Sequence, residues 1–138
     1  MALTFNKHNS FVEAEAEKVH NLGADTLTVA LCAAANAPTA SNTVLANLTQ
    51  ISYTNLSSRV ITTTSSSQTS GTYKLVLQDL VLTASGDVGP FQYVEVYNDT
   101  ASNDELMGYI NYGSEITLHS GDSITIDFDG TNGLIQKT

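Results

Sequence analysis

The chain has 138 residues, one domain's worth, of which 41% are hydrophobic and only 14% charged. Five Lys plus Arg against 14 Asp plus Glu leave a net charge of −9, which argues against a nucleic-acid partner, because phosphate binding needs cationic surface to displace counterions. The single cysteine, Cys32, excludes an internal disulfide and Cys-rich metal modules, and no run approaches the ~20 apolar residues of a membrane span.

The opening MALTFNKHNS has no apolar stretch of the signal-peptide kind, so synthesis in the cytoplasm is the expectation. Residues 1–9 read as an N-terminal arm ahead of one β-rich domain at residues 10–138. A short helix is predicted at about residues 10–22. Ser10 is its N-cap, and Glu13 completes a Ser-x-x-Glu capping box. Val12, Ala16, Val19 and Leu22 recur at helical spacing. Glu13, Glu15 and Glu17 crowd the start while Lys18 and His20 fall in the last turn, matching the helix dipole. Gly23 then supplies a left-handed C-cap.

After Gly23 the period changes from 3.6 to 2, and residues 26–31 alternate hydroxyl and apolar side chains as a half-buried strand does. Residues 33–43, with Pro38, read as a loop, and residues 44–52 suit a short helix or a strand equally. From Thr62 to Thr72, nine of eleven residues are Ser or Thr. Residues 59–64 read as a strand entering an exposed polar loop there. Further strands are predicted at residues 73–77, 80–82, 91–97, 106–112, 115–119 and 123–128. Turns fall at Gly86, Gly89 and Pro90, at Gly113-Ser114, and at Ser120-Gly121-Asp122. Asp129-Gly130 and Asn132-Gly133 precede a short terminal strand. Seven or eight short strands with one N-terminal helix make the chain mainly β, an antiparallel β-sandwich or jelly-roll-like domain.

Few residues nominate themselves for chemistry. His8, His20 and His119 lack paired-ligand spacing, so His8 and His20 are assigned to a solvated helix end and His119 to a strand edge. Cys32 has no neighbouring cation to lower its pKa and reads as a packing residue. Oxygen ligands in residues 98–105, above all Asp99, Asp104 and Glu105, make a weak Ca²⁺ candidate, as does the group Asp122, Asp127 and Asp129. Turn chemistry accounts for the same residues. Glu95, Glu105 and Glu115 offer no carboxylate pair that alternation singles out. No catalytic residue and no cofactor is assigned. Phe91, Tyr93 and Tyr97 share one strand face if alternation holds, with Tyr109 and Tyr112 on the next strand. They are sheet core or a partner surface. Phe5 and Lys7 of the arm are further interface candidates, since a terminus that orders on docking gains contact area.

Several stretches together resemble small virion structural proteins of tailed bacteriophages. They are His20-Asn21-Leu22-Gly23 with residues 25–31, Gln68-Thr69-Ser70-Gly71-Thr72-Tyr73-Lys74-Leu75, Val88-Gly89-Pro90-Phe91, Tyr97-Asn98-Asp99-Thr100 and Asp127-Phe128-Asp129-Gly130. The resemblance covers roughly residues 5–135. It implies a capsid decoration (cement) protein on the outer surface of the shell, with the major capsid protein and copies of itself, as a homotrimer, for partners. It implies no membrane and no nucleic acid. A tail, baseplate or fibre component and a host-glycan-binding β-sandwich are the alternatives.

Overall fold

A computed structural model describes residues 3–138. The described chain is mainly β, with one short helix, α1 (Phe11–Ala16). Its strands are β1 (Phe5–Lys7), β2 (Leu27–Cys32), β3 (Val60–Ile61), β4 (Thr63–Thr69), β5 (Thr72–Leu77), β6 (Leu80–Thr83), β7 (Val88–Asn98), β8 (Leu106–Leu118), β9 (Ser123–Ile126) and β10 (Ile135–Lys137). They form three antiparallel ladders, β1-β8-β7-β2-β3, β10-β5-β4 and β6-β9.

One apolar core joins them in a sandwich-like arrangement. Val29, Leu31, Val94, Val96 and Ile110 of the large sheet meet Leu75 and Leu77 of the second ladder and Leu82 and Ile126 of the third. Phe11 and Phe128 are buried in the same core. Each such side chain contributes about 1.5–3 kcal/mol by leaving water. The strand order does not by itself define a jelly roll.

The large sheet is also covered on its other face. Leu45 and Leu48, from the excursion between β2 and β3, pack over Ala30, Tyr97 and Leu106. All six residues of β2 are therefore buried, although their alternation reads as a strand with one wet face. The ambiguous residues 44–52 supply this lid through a single 3-10 turn, Leu45–Asn47.

The helix is shorter than its pattern suggests. Ser10 makes no side-chain cap bond, and Lys18 adopts φ 65. The Val19 N–H then reaches the Ala14 carbonyl at 2.8 Å and the Lys18 N–H that of Glu15 at 3.3 Å. This paired closure puts the left-handed residue at Lys18, five residues before Gly23. Val12 is consequently exposed, and Phe11, His20 and Leu22 are the buried residues of the segment.

The Ser/Thr run is a strand, not a polar loop. Residues of β4 pair with β5 from Thr63↔Leu77 to Thr69↔Thr72. Ser70 and Gly71, at φ 51 and 83, make the tight turn between them. β-branched Thr and backbone pairing with β5 along one edge outweigh the weak packing of serine. Gly113-Ser114 does not separate two strands either. Gly113, at φ 82, sits in an irregular stretch inside β8, between the pairs Tyr93↔Asn111 and Phe91↔Ile116. Gly89 and Pro90 likewise lie within β7 rather than in a turn.

The expected arm is part of the sheet over its described residues, while Met1 and Ala2 lie outside them. Phe5 pairs with Ile110 and Lys7 with Gly108, Phe5 packs on the main core, and His8 is fully buried. Gly108 makes this docking possible. A Cβ there would lie 2.4 Å from the Phe5 ring and 2.7 Å from the Asn6 carbonyl oxygen. Gly108→Ala is expected to cost about 1–3 kcal/mol and to expose the β1 amides. Urea unfolding with amide hydrogen exchange on residues 5–8 measures both.

Candidate functional site

The residues with the most chemical character gather on and around β7. Asn98, its last residue, is fully buried. Its Oδ1 accepts the Thr100 and Ala101 N–H groups at 3.0 and 3.1 Å. Those two donors set the amide's orientation, so Nδ2 donates to Asp25 Oδ2 at 2.6 Å and to His20 Nδ1 at 3.0 Å. The His20 ring proton is thereby assigned to Nε2. His20 stacks on Phe11 with centroids 5.3 Å apart. Burial lowers its pKa below the ordinary 6.5, against the raising effect of Glu105, Asp25 and Glu15.

Three residues earlier, Glu95 is sealed in the sheet. His8 Nε2 lies 3.0 and 2.8 Å from its two carboxylate oxygens, and both side chains are wholly buried. The Tyr109 ring covers His8 at 5.5 Å. Desolvation pushes the Glu95 carboxyl up to about 7, although the His8 bond and charge and a backbone bond from Gly108 act to lower it. The pair ties the end of β1 to β7. His8 and His20 are thus buried polar anchors, contrary to their assignment to a solvated helix end. Partners in distant β7 account for the difference. His119 does lie exposed, 2.8 Å from Asp87, and that bond raises its pKa.

The Ca²⁺ candidates serve the turn between β7 and β8. Asp99 Oδ2 accepts the Thr28 hydroxyl at 3.2 Å, Glu105 Oε1 accepts from Asn103 Nδ2 at 3.3 Å, and Asp104 adopts φ 52. Desolvation, then the charges of Asp99 and Glu105, raise the Asp104 pKa. Among the described residues, no three His, Cys, Asp or Glu side chains are arranged around a metal position. Asp129, in the second acidic group, accepts the Thr131 and Asn132 N–H groups with Oδ1, which is turn chemistry. Glu115 accepts the Ala34 N–H at 3.1 Å.

Cys32 is buried, and burial pushes its thiol up to about 11, a value that leaves little thiolate at neutral pH. The aromatic stripe divides between two faces. Phe91 joins Val94 and Val96 in the main core, whereas Tyr97 lies in the second cluster. Register shifts between Phe91 and Tyr93 and between Val96 and Tyr97 break the alternation. Tyr97 is only 4% exposed, so it is not a surface anchor. Tyr112 and Phe5 pack partly buried against the main core. Tyr93 and Tyr109 meet edge to face at 6.2 Å and stay partly buried, whereas Lys7 is exposed on β1 opposite Gly108, on the other face of the sheet.

A third anchor has no signature in the sequence pattern. Tyr53 donates its hydroxyl to Gln50 Oε1 at 2.6 Å and accepts the Leu31 N–H at 2.9 Å. Arg59 lies 3.7 Å over its ring and donates to the Val29 carbonyl. Burial pushes this phenol up to about 12. Only an isolated Tyr and the lone Arg, in a polar stretch, could have pointed to it.

Two concavities flank the β10-β5-β4 ladder. One, of about 530 Å³, lies on its outer face between Ser65, Ser67, Thr69, Thr72, Lys74 and Gln136. The other, of about 450 Å³, includes Lys18, His20, Leu22, Tyr73 and Lys137. Lys137 is held there by Glu15 at 2.7 Å. Fold and site together define a mainly-β antiparallel domain whose buried polar groups cross-link distant segments. No family model, curated protein or solved structure matches the chain.

Proposed function

We propose that the chain is a non-enzymatic structural protein of a tailed-phage virion, a decoration protein that binds the outer shell and stabilises it across capsomer contacts. One observation carries this reading. The segments that resemble such virion proteins are spent on the fold: Phe91 and Phe128 fill the core, and Asn98, Asp99 and Thr100 bond across to residues 20–28. Chemistry for a partner is left to the surface. The partly buried Tyr93 and Tyr109, which share one face of the large sheet, form the docking patch on the major capsid protein, because Tyr combines apolar area with a polar tip. Homotrimeric docking at three-fold positions adds area from each copy, toward the roughly 1,000 Å² a stable contact needs. A charge of −9 keeps free copies soluble before they dock.

The hydroxyl-lined concavity beside Lys74 and Gln136 supports a second reading, a host-glycan-binding module. Adding the purified chain to shells that lack it separates the two. Saturable binding that raises the shell's rupture temperature, and that falls with Tyr93→Ala, is expected. Binding to host glycans with none to shells would replace decoration by the second reading.

A further inference from the structure

The β4–β5 hairpin has a property that the core and the buried anchors do not use. Residues 60–73 contain no charged side chain, in a chain of net charge −9, and Arg59 and Lys74 flank the stretch. β4 is the last strand of its ladder and pairs with β5 alone. Among the described residues, no other segment takes a backbone hydrogen bond from residues 64–69.

The turn sets which groups are free. Thr69 and Thr72 flank a two-residue turn with both φ values positive, and in such hairpins that flanking pair exchanges both backbone bonds. Ser67↔Lys74 and Ser65↔Val76 follow in the same phase. The N–H and C=O groups of Ser66 and Gln68 therefore point away from β5, along the open edge. Natural edges are guarded by charge, proline, bulging or shortness. β4 runs for seven residues without Pro or charge, and its one irregularity lies at the start, between Thr63 and Ser65.

We propose that this edge pairs antiparallel with β4 of a second copy across a two-fold axis. Charge selects the occupant. Most surfaces of a chain at −9 repel a second copy, whereas here two strands without charged side chains meet. A two-fold contact of this kind is self-complementary and closed. Main-chain bonds supply the affinity. The product is a continuous six-stranded ladder, with the hydroxyls of Ser65, Ser67 and Thr69 from both copies on one face. The pairing is a property of the isolated chain and does not rest on the virion reading. Any three-fold contact uses a different surface.

Sedimentation of the purified chain across a wide concentration range tests it. A monomer–dimer equilibrium is expected for the native protein. Ser67→Glu and Ser67→Lys, each on the exposed outer face, should weaken it about tenfold or more by setting like charges against each other. An equal mixture of the two should recover the dimer. Ser66→Pro removes an outward N–H while leaving the hairpin's own bonds, and should also give monomer. Circular dichroism of each variant separates lost pairing from lost fold. A native chain that stays monomeric at the highest concentration, or an oligomer of any size indifferent to folded Ser67→Glu and Ser66→Pro, would overturn the proposal.

Discussion

Asn98→Leu is expected to lower the unfolding free energy by about 3–5 kcal/mol, the largest loss from any single polar substitution in the chain. Four groups lose their partner together: the Thr100 and Ala101 N–H groups, the Asp25 carboxylate and His20 Nδ1. Asn98 and His20 are buried, so water replaces their bond only if the β7–β8 turn opens, while Asp25 and Thr100 lie nearer the surface. Leucine fills the volume, and the loss then reports unpaired polar groups rather than a cavity. Asn98→Asp sharpens the test. It keeps an acceptor for the two N–H groups but sets a second carboxylate against Asp25, where the present contact is 2.6 Å. It should therefore destabilise at neutral pH and recover in part as acid protonates the pair. Urea unfolding at two pH values measures both variants. A loss below about 1 kcal/mol for Asn98→Leu would contradict the role given to this node.

Removing His8 should come close behind. Taking His8 away leaves the buried Glu95 carboxyl without its partner, at about 1–3 kcal/mol where the carboxyl is protonated and more where it is charged. His8→Ala also frees the end of β1, whose His8 N–H is bonded to the Met107 carbonyl at 3.0 Å. The pH dependence has a definite sign. The folded value of Glu95, about 7, lies above its ordinary 4.5. Between these values the folded chain keeps a proton that the unfolded chain has released. The contribution is full below 4.5 and is lost as pH rises through about 7. The span corresponds to about 3 kcal/mol at most. Glu95→Gln keeps the shape and removes the titration, so its stability relative to the native chain should rise from pH 4.5 to 7. A constant difference across that window would show that Glu95 does not hold the proton.

Local pattern and distant partners were not equally legible in the sequence. β2, β5, β6, β7 and β9 announce themselves by alternation and by apolar or aromatic runs, because a strand's buried face is written at every second residue. The helix end was hidden, since a Lys in the left-handed region is not a residue-type signal in the way Gly23 is. β4 was hidden because serine carries no packing signal, and its strand state depends on β5 being present. Gly113 reads as a stop although β8 continues through it. The same limit applies to the candidate site. Cys32 as an inert packing residue follows from its neighbours alone. His8 with Glu95 is a pairing across 87 positions, and His20 with Asn98 one across 78, so neither leaves a local motif. Tyr97 fell on the wrong face because two register shifts intervene in one strand.

The buried polar anchors and the exposed edge fit a protein that works through its surface. The two-fold edge contact and a three-fold docking contact together would let copies link neighbouring positions on a shell. Cryo-electron microscopy of purified virions carrying the chain tests this most directly. The expected result is density at regular lattice positions outside the shell, at hundreds of copies per particle, with the Tyr93 and Tyr109 face against the major capsid protein. Density confined to the tail or baseplate, at tens of copies or fewer, would contradict the decoration role.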